Sequence, residues 1–267
     1  MLHHYRNKAC PEAAKLLTGE EITYSMLINI LQGQCGYIIT DLERMIVCHS
    51  ASPWPVWVWC RDAADKGAVD QIGCCLKENF PVEEGFDCIL SYELLEALKK
   101  EDPYFQKVTQ GRGLLSYRLD QVNQIDHGCE GSMGLVREEE IPSLTGIWQD
   151  MHVEMEGRHF TREHCEEAIR LMVESKALFA WRSSSGEIVA LTGRGDQGLY
   201  SKITSVYTLP AHRRKGYAIN LVHGVTRKIL EDRLIPILYT DAGYGASNAC
   251  YRKIGYRQVG QLISICK

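Results

Sequence analysis

The clearest pattern of apolar and polar positions lies in the second half of the chain. Leu144, Ile147, Trp148 and Met151 recur at helical spacing and predict an amphipathic helix over Ile141–His152. Thr161 is the expected N-cap of a second helix, with His164 where a capping box has Glu or Gln, and Ala168, Leu171 and Met172 carry it to about Lys176. Leu178–Arg182 predicts a strand, Ser183–Gly186 a turn, Ile188–Thr192 a strand, Gly193–Gly198 a turn, and Tyr200–Leu209 a third strand closed by Pro210. A long helix follows from Gly216 to about Asp232, striped by Ala218, Leu221, Val222, Val225 and Ile229. Pro236 ends it and opens the strand Ile237–Thr240. Ser247 is expected to cap a short helix ending Arg252-Lys253-Ile254-Gly255, before a last strand over Tyr256–Ile265.

The first half repeats this order more faintly. Gly36–Asp41, Arg44–His49 and Val56–Cys60 are strand candidates, Ala68–Asn79 a helix, Cys88–Ser91 a strand, Leu94–Lys100 a helix and Gly113–Leu119 a last strand. A meander followed by crossover helices implies a mixed sheet in an α/β (α+β) fold. Asp120–Ser132 is polar and weakly patterned. The expectation is a duplicated domain, residues 1–125 and 134–267, joined by a linker at 126–133.

Composition narrows the class. In 267 residues, 45% hydrophobic and 24% charged residues suit a soluble globular protein, and a net charge of −4 argues against nucleic acid as the main partner. The start of the chain lacks a signal-peptide apolar run, and no stretch approaches a bilayer span, so no membrane partner is expected. Eleven cysteines without a CxxC pair suggest a reduced, cytoplasmic protein whose cysteines pack as small hydrophobes. Monomer and homodimer both stay open.

One stretch carries chemistry. Val206-Tyr207-Thr208-Leu209-Pro210-Ala211-His212-Arg213-Arg214-Lys215-Gly216-Tyr217-Ala218 ends a strand, turns through three cations and opens the long helix at a glycine. Small residues there let a ligand approach the backbone, and the free amides of a helix start, at its positive end, suit a pyrophosphate. Downstream comes Asp241-Ala242-Gly243-Tyr244-Gly245-Ala246-Ser247-Asn248-Ala249-Cys250-Tyr251-Arg252-Lys253-Ile254-Gly255-Tyr256.

These two blocks resemble the hallmarks of the GNAT superfamily, the GCN5-related N-acetyltransferases: Arg/Gln-x-x-Gly-x-Gly/Ala at a strand–helix junction, then Asn-x-x-x-x-x-x-Gly-Phe/Tyr with Tyr251 at the usual tyrosine. The resemblance covers roughly Gly134 to Lys267, and the wording around Leu238–Asp241 and Tyr251–Tyr256 looks similar to bacterial predicted two-domain acetyltransferases. It implies tandem GNAT-like domains, the N-terminal one degenerate, and an N-acyltransferase using acetyl-CoA, without metal, on a primary amine of a small molecule or peptide. It further implies that Arg213, Arg214, Lys215, Gly216, Tyr217 and Ala218 hold the pyrophosphate, with Asn248 also on the coenzyme A side. Val206, Tyr207 and Thr208 would meet the pantetheine and thioester where two strands splay, and Tyr251 would protonate the leaving thiolate. Asp241, Glu154 and Glu156 are candidate bases. The alternatives are a non-catalytic acyl-CoA-binding or sensing module, and a scaffold.

Other signals point elsewhere. Gly193-Arg194-Gly195-Asp196-Gln197-Gly198 matches GxGxxG, but a strand follows where a dinucleotide site needs a helix. His152, Glu154, Glu156, His159, His164 and Cys165 crowd together without metal-site spacing and are expected to flank the acceptor pocket. Trp57 and Trp59, at period two, read as core or domain-interface packing, with an aromatic acceptor groove as the alternative. At the first half's matching junction, Cys60-Arg61-Asp62-Ala63-Ala64-Asp65-Lys66-Gly67-Ala68 sets two aspartates where a pyrophosphate would be repelled.

Overall fold

The computed structural model describes residues 1–33, 36–125 and 128–266, with Glu156 described in its backbone only. Cys35, the linker residues Asp126 and His127, and the Glu156 side chain proposed as a base therefore lie outside the described residues. The strands are β1 (His3–Arg6), β2 (Tyr37–Thr40), β3 (Met45–His49), β4 (Val56–Cys60), β5 (Cys88–Leu90), β6 (Thr109–Arg118), β7 (Ser132–Leu135), β8 (Leu178–Arg182), β9 (Ile188–Gln197), β10 (Tyr200–Thr208), β11 (Ile235–Asp241) and β12 (Arg257–Cys266). The helices are α1 (Pro11–Ala14), α2 (Ser25–Gln32), α3 (Lys66–Asn79), α4 (Tyr92–Glu101), α5 (Ile141–Glu156), α6 (Arg162–Glu174), α7 (Tyr217–Glu231) and α8 (Gly245–Ile254).

The chain forms two compact units that interleave along the sequence. The first takes Met1–Ser116, Thr240–Gly245 and Gln258–Lys267; the second takes Tyr117–Tyr239 and Ala246–Arg257. In the first unit the strands run β1-β2-β3-β4-β5-β12-β6. β1 to β4 form an antiparallel meander, β4 and β5 are parallel, and β12 pairs antiparallel with β5 through Ile263 and Leu90. The final strand of the chain thus completes the first unit. One face carries α3 and α4 over Ile39, Val47, Val58 and Ile263; the other buries Trp57 and Trp59 with Leu27 and Leu31 of α2. The tryptophans are core, as their spacing predicts, and the Trp59 indole donates to Glu20 at 3.0 Å.

In the second unit the order is β11-β10-β9-β8-β7. α5 and α6 pack over Leu178, Ala180, Leu191 and Tyr207. Thr161 caps α6 as its sequence implies, its hydroxyl accepting from the His164 amide at 3.2 Å.

Both halves of the sequence carry the same succession: helices, meander, crossover helix, strand, helix, strand. α1 and α2 supply the first-half helices that the apolar pattern leaves out. Three local expectations are corrected. Gly193–Gly198 is not a turn throughout, because β9 continues to Gln197 and pairs with β10 as far as Gln197–Tyr200, leaving only Gly198 and Leu199 to turn. Ser247 lies inside α8 and does not cap it. Ser132 and Met133, expected in the linker, already belong to β7 and pair with Arg182 and Trp181. The cysteines divide as well. Cys10, Cys48, Cys75, Cys88 and Cys165 are buried, but Cys74 is exposed and Cys60, Cys129, Cys250 and Cys266 are half-buried, all ten being free thiols.

Candidate active site

The strand–turn–helix junction of the second unit is built from strained backbone. β9 and β10 stay in register to Thr204 opposite Gly193, then slip, and resume at Tyr207 opposite Leu191. Ser205 and Val206 face Thr192 alone and form a β-bulge, with Ser205 at φ 52°. A bulge re-aims the main chain of its strand, and left-handed backbone at a residue other than glycine tends to mark a site. β10 also pairs in parallel with β11, but only from Tyr200–Ile235 to Ile203–Leu238. Beyond that point Thr204–Thr208 has no β11 partner in the ladder, so the two strands part where the bulge lies. A splay at this point is what the resemblance implies, and Val206, Tyr207 and Thr208 stand beside it.

The turn after β10 brings the polypeptide into the left-handed region twice, at Arg214 (φ 64°) and at Gly216 (φ 84°). Gly216 is the N-cap of α7 and supplies no side chain to cap it. The first-turn amides of Tyr217, Ala218 and Ile219 lie ahead of the helix ladder, whose first bond here runs from the Asn220 amide to the Gly216 carbonyl at 3.2 Å. Arg214 and Lys215 are exposed beside this helix start and make no ion pair among the described residues. Main-chain donors, a helix dipole and two exposed cations are what a diphosphate requires, so the residues present fit coenzyme A.

The matching junction in the first unit is closed. There Asp65 is the N-cap of α3, and its carboxylate accepts from the Ala68 amide at 3.1 Å. The protein's own carboxylate occupies the place an anion would take.

Arg213 does not stand with these two cations. Its guanidinium donates to the Glu154 carboxylate at 2.6 Å and, through Nε, to the Thr208 carbonyl at 3.0 Å. It also lies 5.5 Å from the centre of the Tyr207 ring. The Tyr207 hydroxyl donates to the same Glu154 oxygen at 3.1 Å. The hydrogen bond from Arg213 holds the Glu154 carboxyl below its ordinary range, which makes it a poor proton acceptor. Sequence alone sees Glu154 as a possible base; its opposition to Arg213 is visible only in the fold.

Tyr251 is buried on α8, its ring 6.3 Å from that of Tyr117 and 6.2 Å from that of Tyr256. Burial pushes its phenol well above the ordinary tyrosine value, with a smaller push from Cys250. It is therefore fully protonated at neutral pH, as a proton donor must be. Asn248, three residues before it on the same helix, is buried as well. Asp241 falls in the first unit, half-buried, where its Oδ1 accepts from the Gly243 amide at 2.7 Å and its carbonyl from the Tyr244 amide.

Sequence reasoning misses Lys202. It lies on β10 opposite Ile237, one residue before the last paired position, with its ammonium 5.7 Å from the Tyr239 ring. Desolvation lowers its pKa to about 8. The unfolded chain therefore holds more protons between about 8 and the ordinary lysine value. The cost of the buried charge is fully present below pH 8 and lifts as pH rises through that window. Lys202→Met is expected to raise stability at pH 7 by up to about 3 kcal/mol and to flatten the rise of stability above pH 8. Urea unfolding at pH 7 and pH 10 checks this, and a variant less stable than the parent at pH 7 would contradict it.

Of the crowded α5–α6 residues, His152 and His164 both meet the Phe160 ring, His152 edge-on at 4.8 Å and His164 stacked at 4.9 Å. Among the described residues no group of three His, Cys, Asp or Glu side chains is placed to hold a metal ion, and no helix is long and apolar enough to cross a membrane.

Comparison with solved structures places the fold as a whole. A Drosophila protein is 14% identical over 100% of this chain and 98% of its own, with a TM-score of 0.70. A GCN5-related N-acetyltransferase from Sphaerobacter thermophilus is 12% identical over 99% and 94%, with a TM-score of 0.68. A GNAT-family acetyltransferase from Colwellia psychrerythraea is 10% identical over 99% and 98%, with a TM-score of 0.59. At such identities the likeness is one of fold, and it extends over both units. The chain thus shares its fold with GNAT acetyltransferases of known structure. More particularly, residues 177–263, from β8 into β12, match the family described as FR47-like protein. No curated protein matches the chain.

Proposed function

We propose that this protein is an acetyl-CoA-dependent N-acyltransferase that acts on a primary amine of a small molecule or peptide by direct attack in a ternary complex. The observation that carries the proposal is the uncapped, left-handed start of α7 beside the point where β10 leaves β11. The main-chain amides of Arg214 to Ala218 take the diphosphate, with the charges of Arg214 and Lys215 around it. Val206, Tyr207 and Thr208 offer main-chain groups to the pantetheine, and an amide at Val206 or Tyr207 polarises the thioester carbonyl. Asn248 completes the coenzyme side from α8.

The acceptor nitrogen bonds to the acyl carbon, the carbon–sulfur bond breaks, and Tyr251 gives its proton to the departing thiolate. Asp241 remains the candidate to take the proton of the amine, directly or through water. The two halves of the chain are read as copies of one fold, and the capped α3 start leaves the first without a diphosphate site. Thioester consumption against a panel of amines tests the proposal. Turnover with one amine class supports transfer, whereas tight coenzyme A binding with no turnover on any amine would favour a sensing module.

A further inference from the structure

Glu154 stands in the last turn of α5 and meets residues far along the chain. One carboxylate oxygen receives both the Arg213 guanidinium at 2.6 Å and the Tyr207 hydroxyl at 3.1 Å. Arg213 also binds the Thr208 carbonyl and lies over the Tyr207 ring. The four residues therefore close a loop from α5 to the last two residues of β10 and on to the first residue of the diphosphate turn. Both left-handed positions and the bulge fall within or next to that loop. Backbone held in such strained conformations persists only where its surroundings fix it. Charge-assisted hydrogen bonds from two directions on one oxygen are of the kind that fix it.

Resting on the proposed function, we infer that Glu154 is a positioning residue for that reaction: it anchors Tyr207 and Arg213, so setting the β10 end and the turn that face the donor, and it does not take the proton of the amine. Its ionised state supports this. A carboxyl held below its ordinary range by a guanidinium gives up its role as ion-pair partner if it accepts a proton, and the free energy of that pair opposes the transfer.

Glutamine separates the two roles. In Glu154→Gln the side-chain amide oxygen would still accept from Tyr207 and Arg213, but it accepts no proton at neutral pH. For an anchor, Glu154→Gln is expected to keep turnover within about 3-fold of the parent, and Glu154→Ala to lower it by about 10-fold or more. The acidic limb of the pH–rate profile should survive in Glu154→Gln. Equal losses in both variants, with that limb gone, would overturn the inference and make Glu154 the base.

Urea unfolding of Glu154→Ala, Tyr207→Phe and the double variant supplies a readout independent of turnover. Non-additive destabilisation supports the anchor, and additive effects overturn it. A parent protein that turns over no amine while the double-variant cycle still shows coupling would count against the proposed reaction and leave the anchor standing.

Discussion

Gly216→Glu is expected to abolish coenzyme A binding while leaving the protein folded. The glycine sits at φ 84°, where a side chain costs roughly 1–2 kcal/mol of backbone strain. Space is available, since the nearest atoms to an added Cβ are Asn220 Nδ2 at 3.6 Å and Cys129 Cβ at 3.9 Å. The penalty is therefore conformational and small beside the stability of a domain. The new carboxylate, by contrast, would lie at the positive end of α7 among the amides meant for a diphosphate, as Asp65 does at α3. It would occupy those donors and repel the ligand, a loss on the order of 100-fold or more. Gly216→Ala carries the same strain without the charge and should weaken binding by less than about 10-fold. Calorimetric titration of both variants, with circular dichroism to confirm folding, checks the pair. Unchanged affinity in Gly216→Glu would remove the diphosphate from this turn.

Tyr251→Phe should have the second largest effect, on turnover. A positioned general acid contributes about 100- to 10,000-fold, and a thiolate, already a fair leaving group, places the expected loss of kcat toward the low end. Donor affinity should change by less than about 3-fold, because the phenol is assigned to the departing sulfur and not to binding. Stability should shift by less than about 1 kcal/mol, since only the phenol oxygen is removed and the ring keeps its contacts with Tyr117 and Tyr256. Burial raises the phenol above the ordinary value, so in the parent protein its proton is lost only well above pH 10. No alkaline fall in kcat from this group is expected between pH 7 and 10. Steady-state kinetics on both forms measures this, and undiminished kcat in Tyr251→Phe would remove Tyr251 from the chemistry.

The elements that announce themselves in sequence are those whose burial is one-sided. α7 carries a single apolar stripe, and Leu178–Arg182 is flanked by turn residues, so both are legible to within a residue or so. α2, Ser-Met-Leu-Ile-Asn-Ile-Leu-Gln, exposes Asn29 and Gln32 on one side, but it runs only two turns and has no side-chain cap, so its stripe is too short to stand out. The Gly193–Gln197 stretch has three polar or charged residues and two glycines, yet it is strand. Gly193 is small there because an added Cβ would strike Met172 of α6 and Thr204 of β10, not because the chain turns. The exchange of β12 into the first unit has no local signal at all.

The site divides the same way. The turn proposed for the diphosphate is readable because the chemistry assigned to it is main-chain, and main-chain demands show as glycine and alanine at fixed offsets. Lys202 sits in an alternating strand at a position that reads as solvent-facing, and its pairing with β11 and its place near Tyr239 appear only in the fold. Glu154 and Arg213 lie 59 residues apart. Each looks like a surface charge until the fold places them together.

The amide spectrum of the protein, labelled with nitrogen-15 and titrated with coenzyme A, tests the central claim most directly. Main-chain binding at the α7 start should give its largest shifts at the amides of Arg214, Lys215, Gly216, Tyr217 and Ala218, with a second set at Val206, Tyr207 and Thr208. Shifts that leave these amides untouched, or a spectrum that coenzyme A does not change, would contradict it.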